Sequence, residues 1–247
     1  MRWLTYLVKC LLCGFVAMQV YFALQITLWT FFDPSSTAFQ RAERWRLCSW
    51  HWSCPVYSEW TPYDKISNLL KRAVLVSEDD IFFQHNGFRF EDMKKAWEKN
   101  QQKTQAGNSS KTALRGGSTI TQQLAKNLFL SSEQNYFRKG QEFVITGLLE
   151  LILSKQRLFE IYLNSVEWGE GIFGIGAAAQ HYYGVNPSNL DRDQSAALAS
   201  ALPAPKCFDQ QQHCYRGSIN YAARQEFILE YMDRVALSPI SKSGSGK

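Results

Sequence analysis

A chain of 247 residues, 45% hydrophobic, 14% aromatic and 20% charged, is long enough for one domain with appendages and apolar enough to bury a core. That composition excludes wholesale disorder, and collagen-like, coiled-coil and disulfide-knot architectures fail with it. Twenty-seven basic against 22 acidic side chains leave a formal charge of +5, which points to an anionic partner without separating nucleic acid, lipid and phosphorylated substrate.

Arg2 and Lys9 precede a run from Cys10 to Phe32 with no charged residue, 23 positions long. At 1.5 Å per residue this makes about 35 Å of helix, enough to cross a hydrocarbon core of roughly 30 Å with some tilt. The basic flank lies before the run and Asp33 after it. The positive-inside rule therefore places residues 1–9 in the cytoplasm, makes 10–32 a transmembrane anchor and puts the rest outside. A cleaved signal peptide competes, but its apolar segment is usually about 7–15 residues and a small-x-small cleavage site follows; neither holds here. An exported domain meets an oxidising compartment, so Cys48 with Cys54 and Cys207 with Cys214 are expected to form two local disulfides. Neither pair has CxxC spacing and the nearby histidines, His51 and His213, stand alone, so zinc is the weaker reading.

Residues 33–62 are rich in Trp and Pro without a sustained helical period and read as a membrane-proximal connector. From 63 to 237 the pattern is helical. Ser67 caps a helix with Leu70 and Val74 on one face, whereas 98–116 are polar and expected as a mobile loop. Ser131 with Gln134 signals the start of a long helix whose Phe137, Val144, Leu148 and Leu151 form one stripe. A further helix covers about 155–164. Glycines at 169, 171, 174 and 176 precede the AAAQHYY helix, which ends at Gly184, and another helix runs from Asp191 to Pro203. Residues 238–247 form a tail. The expected fold class is mainly α.

Three constellations could carry chemistry. Glu78, Asp79 and Asp80 lie at a helix C-terminus, against the dipole, beside Phe82 and Phe83. An acid so placed suits a general base or acid, although a solvated acidic turn has the same sequence. Arg138, Lys139 and Glu142 share one helix face at i,i+4 and i,i+3, which makes either a surface ion pair or an anion site with a carboxylate inside it. GGSTITQQLAKNLFL, 116–130, is an amphipathic helix behind a glycine hinge. Its amide-rich face, Gln122, Gln123, Lys126 and Asn127, also suits sugar hydroxyls and phosphate oxygens. No P-loop is present.

Together, the stretches at 78–87, 116–130, 138–142, 155–164 and 171–184 resemble, in order, the five motifs of the peptidoglycan glycosyltransferases of family 51, over roughly 63–205. The resemblance implies a lysozyme-like, mostly helical domain that polymerises lipid II into β(1→4) glycan strands with release of undecaprenyl pyrophosphate. It implies a bacterial inner-membrane location with the domain in the periplasm. By the same carry-over, Glu78 is the base toward the acceptor 4-hydroxyl. Glu142 lies near the donor pyrophosphate with Lys126, Arg138 and Lys139, and with room for Mg²⁺ at Glu142. Asp79 and His85 would orient the loop of Glu78. Gly117, Thr119, Gln122, Gln123 and Asn127 would line the substrate site, and Lys155, Arg157, Glu160 and Asn164 would steady the cleft from behind. The partners implied are lipid II, the growing strand, the membrane and other cell wall synthases or divisome proteins, with no nucleic acid; no cofactor is required, though the site has room for Mg²⁺. Gly176 departs from the family's usual glutamate before the AAA helix. Absence of Ser-x-x-Lys and Lys-Thr-Gly argues against a transpeptidase domain. A lysozyme-like glycan-cleaving enzyme and a non-catalytic, membrane-tethered glycan-binding module are the alternatives, and the first has no need of a cationic clamp.

Overall fold

The computed structural model describes residues 2–49, 56–91, 94, 118–130, 136–209 and 219–238. The fold is mainly α. Ten helices can be followed among the described residues: α1 (Arg2–Leu28), α2 (Ala38–Cys48), α3 (Asn68–Glu78), α4 (Ile120–Phe129), α5 (Tyr136–Ile152), α6 (Lys155–Ser165), α7 (Ile175–Tyr183), α8 (Arg192–Ala201), α9 (Lys206–Asp209) and α10 (Tyr221–Tyr231). Short strands β1 (Tyr57–Ser58), β2 (Glu167–Gly169) and β3 (Ile172–Phe173) form a sheet in the order β1-β3-β2, with β1 parallel and β2 antiparallel to β3.

Local chemistry sets the helix ends. Ser67 Oγ accepts from Leu69 N to open α3, Asp191 and Gln194 form a reciprocal capping box for α8, and Gly184 closes α7 at φ 65°, where a side chain would be strained. Thr119 and Gln122 do for α4 what Asp191 and Gln194 do for α8. The proposed cap of α5 at Ser131, the 98–116 loop and residues 239–247 of the tail lie outside the described residues.

Two expectations are corrected. The connector is not irregular throughout: Thr37 and Gln40 make a capping box that opens α2, and β1 joins the sheet at Tyr57. Short-range capping outweighed the weak apolar period there. The α5 stripe turns mostly away from the core as well: Phe137, Val144 and Leu151 are 74, 40 and 82% exposed and Leu148 alone of the four packs against the core, while Gln141, Glu142, Ile145, Thr146 and Leu149 are buried.

The core forms where α4 packs on α5 and α6 and where α8 packs on α3 and α10. Its largest buried side chains include Trp168, Tyr162, Phe82, Phe159 and Phe173. The distal half of α1 joins it. Ile26 is fully buried, Phe22 and Trp29 pack on Phe129, and Gln141 donates to Gln19, whereas residues 2–17 are exposed. This apolar, exposed half-helix is long enough, with the rest of α1, to cross a membrane. Arg157 fastens its end by donating to the carbonyls of Trp29 and Phe32 and to Asp33.

Gly176 is explained by packing. A Cβ there would stand 2.9 Å from the Glu59 carbonyl and 2.8 Å from Thr61 Oγ1, so the backbone following β1 occupies the space a glutamate needs.

Candidate active site

Of the three consecutive acids, each has a different setting. Asp80 is exposed and pairs with Arg89. Asp79 is buried, and its carboxylate meets His85 Nε2 at 2.9 Å, Arg89 at 3.3 Å and the Ile120 backbone N–H at 3.1 Å. Asp79 thus ends α3 but sits at the N-terminus of α4, where the dipole favours an anion. His85 Nδ1 accepts from Gly87 N, so the proton of the ring lies on Nε2, toward Asp79. Thr119 Oγ1 donates to the Gly87 carbonyl, which ties the 85–87 turn to α4.

Glu78 is held differently. Its side chain is 11% exposed, one oxygen accepts from Gln123 Nε2 at 2.9 Å, and the other accepts from Ser77 Oγ at 3.0 Å. Arg224, on α10, is the nearest cation among the described residues, at 3.9 Å, and donates to Ser77 Oγ at 3.0 Å. A carboxylate contacted at hydrogen-bond distance by neutral donors keeps lone pairs for a proton.

The second carboxylate of interest, Glu142, is 4% exposed and pinned by cations. Arg138 lies 3.4 Å from one oxygen and Lys139 is bonded to the other. Both constellations act on the charge of Lys126. Burial lowers its ammonium below the ordinary lysine range, Glu142 and Glu78 act to raise it, and Arg138 and Lys139 lower it further. A half-desolvated cation among other cations is stabilised when an anion enters. Lys126 also lies 5.7 Å from the centre of the Phe39 ring on α2.

Hydrogen bonds and ion pairs join Glu78 to Gln123 and Glu142 to Arg138 and Lys139, and Lys126 lies within electrostatic range of Glu78 and of the Glu142 group. Such contacts give other residues of the same motifs structural work. Gln122 is buried, and its amide oxygen accepts from Thr119 N in the α4 cap. Asn127 is buried on α4. Gln123 spends its amide on Glu78 and on the Tyr162 hydroxyl, which donates to Oε1 at 3.2 Å. Lys155 pairs with Glu150 at 2.8 Å over the Phe82 ring, Glu160 accepts from Tyr63 N and Arg157, and Asn164 bonds both backbone groups of Thr61. Lys155 and Arg157 thus make bracing contacts within the protein. Gly117 lies outside the described residues. Ser77, Tyr162 and Arg224 escaped the sequence reading. Only Tyr162 lay inside a recognisable motif, and nothing in the α10 sequence marks Arg224.

Among the described residues no group of three or more His, Cys, Asp or Glu side chains could hold a metal ion. Both Glu142 oxygens face cations, so these residues do not fit a resident Mg²⁺. Cys48 and Cys207 are disulfide-bonded, while Cys54 and Cys214 lie outside the described residues. A recess of about 290 Å³ near Asp33, Thr37, Gln40, Trp60 and Ser165 includes none of the clustered carboxylates or cations, so the site is assigned from chemistry.

A part-buried carboxylate held by an amide and a hydroxyl, and a second carboxylate clasped by two cations, are the groups with the chemistry of acid–base transfer in this helical domain. The family model described as Transglycosylase matches residues 50–233. Over 238 residues, 96% of this chain, the sequence is 58% identical to the biosynthetic peptidoglycan transglycosylase of Cupriavidus metallidurans, covering 99% of that protein. The protein of that name from Cupriavidus pinatubonensis is 54% identical over 96% of this chain and 92% of its own length, and that from Ralstonia nicotianae 50% over 96% and 99%. The chain belongs to the transglycosylase family and is a glycosyltransferase enzyme.

Proposed function

We propose that this enzyme builds cell wall peptidoglycan by polymerising lipid II into linear β(1→4) glycan strands. The observation that carries the reading is Glu78, held by Gln123 and Ser77, within electrostatic reach of the Lys126, Arg138, Lys139 and Glu142 cluster.

In the proposed step the acceptor's 4-hydroxyl oxygen attacks the anomeric carbon of the donor strand. Its proton passes to Glu78, the new C–O bond forms as the bond to the lipid pyrophosphate breaks, and the configuration inverts. The departing pyrophosphate gains negative charge. Lys126, Arg138 and Lys139 are fixed donors for that charge, and Glu142 holds the last two in place. A glycan-cleaving enzyme would gain nothing from this cationic cluster.

Membrane topology belongs to the same proposal. An apolar α1 whose first half is exposed, and the outward Phe137, Val144 and Leu151 of α5, support a reading in which the cluster lies beside a bilayer from which a lipid-linked donor is drawn. Arg2 and Lys9 before the span and Asp33 after it support a cytoplasmic N-terminus, and disulfide-bonded Cys48 and Cys207 support a periplasmic domain on the inner membrane.

Incubation of the detergent-solubilised protein with labelled lipid II tests the whole. Long strands are expected from the wild type; shortened strands from added polymer would favour cleavage, and no turnover would favour a binding module. Glu78→Gln is expected to lower polymerisation by about 10²–10⁴-fold with an unchanged thermal transition. Turnover retained in that variant overturns the base.

A further inference from the structure

We infer that Tyr162 is a positioning residue for the reaction, fixing through its hydroxyl the orientation of the Gln123 amide that holds Glu78. This rests on Glu78 as the base proposed above.

An amide side chain has two ends of nearly equal shape and opposite polarity, so its orientation is decided by its partners. Here the Tyr162 O–H donates to Gln123 Oε1 at 3.2 Å and Gln123 Nε2 donates to Glu78 Oε2 at 2.9 Å. Turned over, Gln123 would point a carbonyl oxygen at a carboxylate and leave the phenol hydrogen without an acceptor. Tyr162 is fully buried, stacked near Phe159 in a cluster that includes Phe82 and Phe83. Phenylalanine would satisfy that packing, so the hydroxyl is the group with something further to explain. Burial first, then Glu78 and Asp79, raise the phenol well above its ordinary range, so it stays a donor throughout the working pH.

The geometry has a consequence for turnover. A donor to a carboxylate favours its charged form, the form that accepts a proton. Each time Glu78 takes the acceptor proton, the Gln123 bond weakens, and the amide is free to rotate unless its other end is tied. Tyr162 ties it from α6, an element that contributes nothing else to the base.

Tyr162→Phe removes one oxygen and keeps the ring. Expected are a fall in kcat of about ten- to a hundred-fold, KM within about two-fold, and an acid limb of the pH–rate profile moved to higher pH. Gln123→Ala, at a half-buried position, should give the same limb shift without touching the core. In the double variant the losses should not add, because both substitutions remove one linkage. A Tyr162→Phe enzyme with wild-type kcat and pH profile overturns the inference, as do additive losses in the double variant. Should Tyr162→Phe fail to fold, an unmoved limb in Gln123→Ala overturns it. Glu78→Gln assayed alongside separates the two levels: turnover retained there removes the base itself, whereas an inactive Glu78→Gln with an unaffected Tyr162→Phe removes only the linkage.

Discussion

Glu78 is part-buried and Glu142 buried, and their hydrogen-bond partners are of opposite kinds. Glu78 is met by an amide and a hydroxyl, with its nearest cation among the described residues 3.9 Å away; Glu142 is met by Arg138 and Lys139. A base must leave lone pairs for the proton it takes, whereas a carboxylate clasped by two cations is a counter-ion that fixes their direction. In the proposed reaction, two side chains of one chemical type are thereby given different roles by their immediate surroundings.

Lys126 feels both carboxylates, and the first test of the division is there. Lys126→Ala should lower donor turnover by about a hundred-fold at an unaltered melting temperature, since one desolvated donor to the leaving group is lost. Polymerisation at the wild-type rate would detach the clamp from the base. Glu142→Gln keeps the shape and drops the charge. A loss in kcat/KM of about ten-fold with an unmoved acid limb is expected, as Arg138 and Lys139 lose their fixed direction. An acid limb displaced by this substitution would mean that Glu142, too, exchanges protons in the reaction.

A third glutamate, outside both constellations, extends the contrast to stability. Burial raises Glu167 from the usual 4.5 to about 7, opposed by Lys206 and by the Gly171 N–H; Glu43, whose burial acts upward, is carried below its usual value by Arg46 and Lys206. For Glu167 the folded state binds the proton more tightly than the unfolded state. Stability therefore declines as pH rises from about 4.5 to about 7, and the penalty is full above that window. Glu167→Gln should remove it, raising unfolding free energy at pH 8 by on the order of 1–3 kcal/mol with little change at pH 4.5. Chemical denaturation at the two pH values checks this; equal effects at both would place the origin elsewhere.

Much of this was legible in the order of residues, for local reasons. Helix caps at Ser67, Asp191 and Gly184 are interactions within a few positions, and the 23-residue apolar run carries its own length. The pairing of Arg138 and Lys139 with Glu142 follows from helical spacing alone. The capping box at Thr37 and Gln40 was equally local and was passed over because the apolar period around it is weak. The outward turn of the α5 stripe was not legible, since periodicity reports that a face exists and not which medium it meets.

Chain order, then, carried the helices, the long apolar segment at the N-terminus and the chemical types of the site, because each depends on neighbours no more than a turn or two away. Which glutamate faces neutral donors depends on Gln123, 45 positions distant, and on Arg224 and Tyr162, farther still. The room denied to a side chain at Gly176 depends likewise on the Glu59 carbonyl. Contacts between remote segments exist only once the helices have packed, and the surroundings that assign each carboxylate its work arise at that level alone.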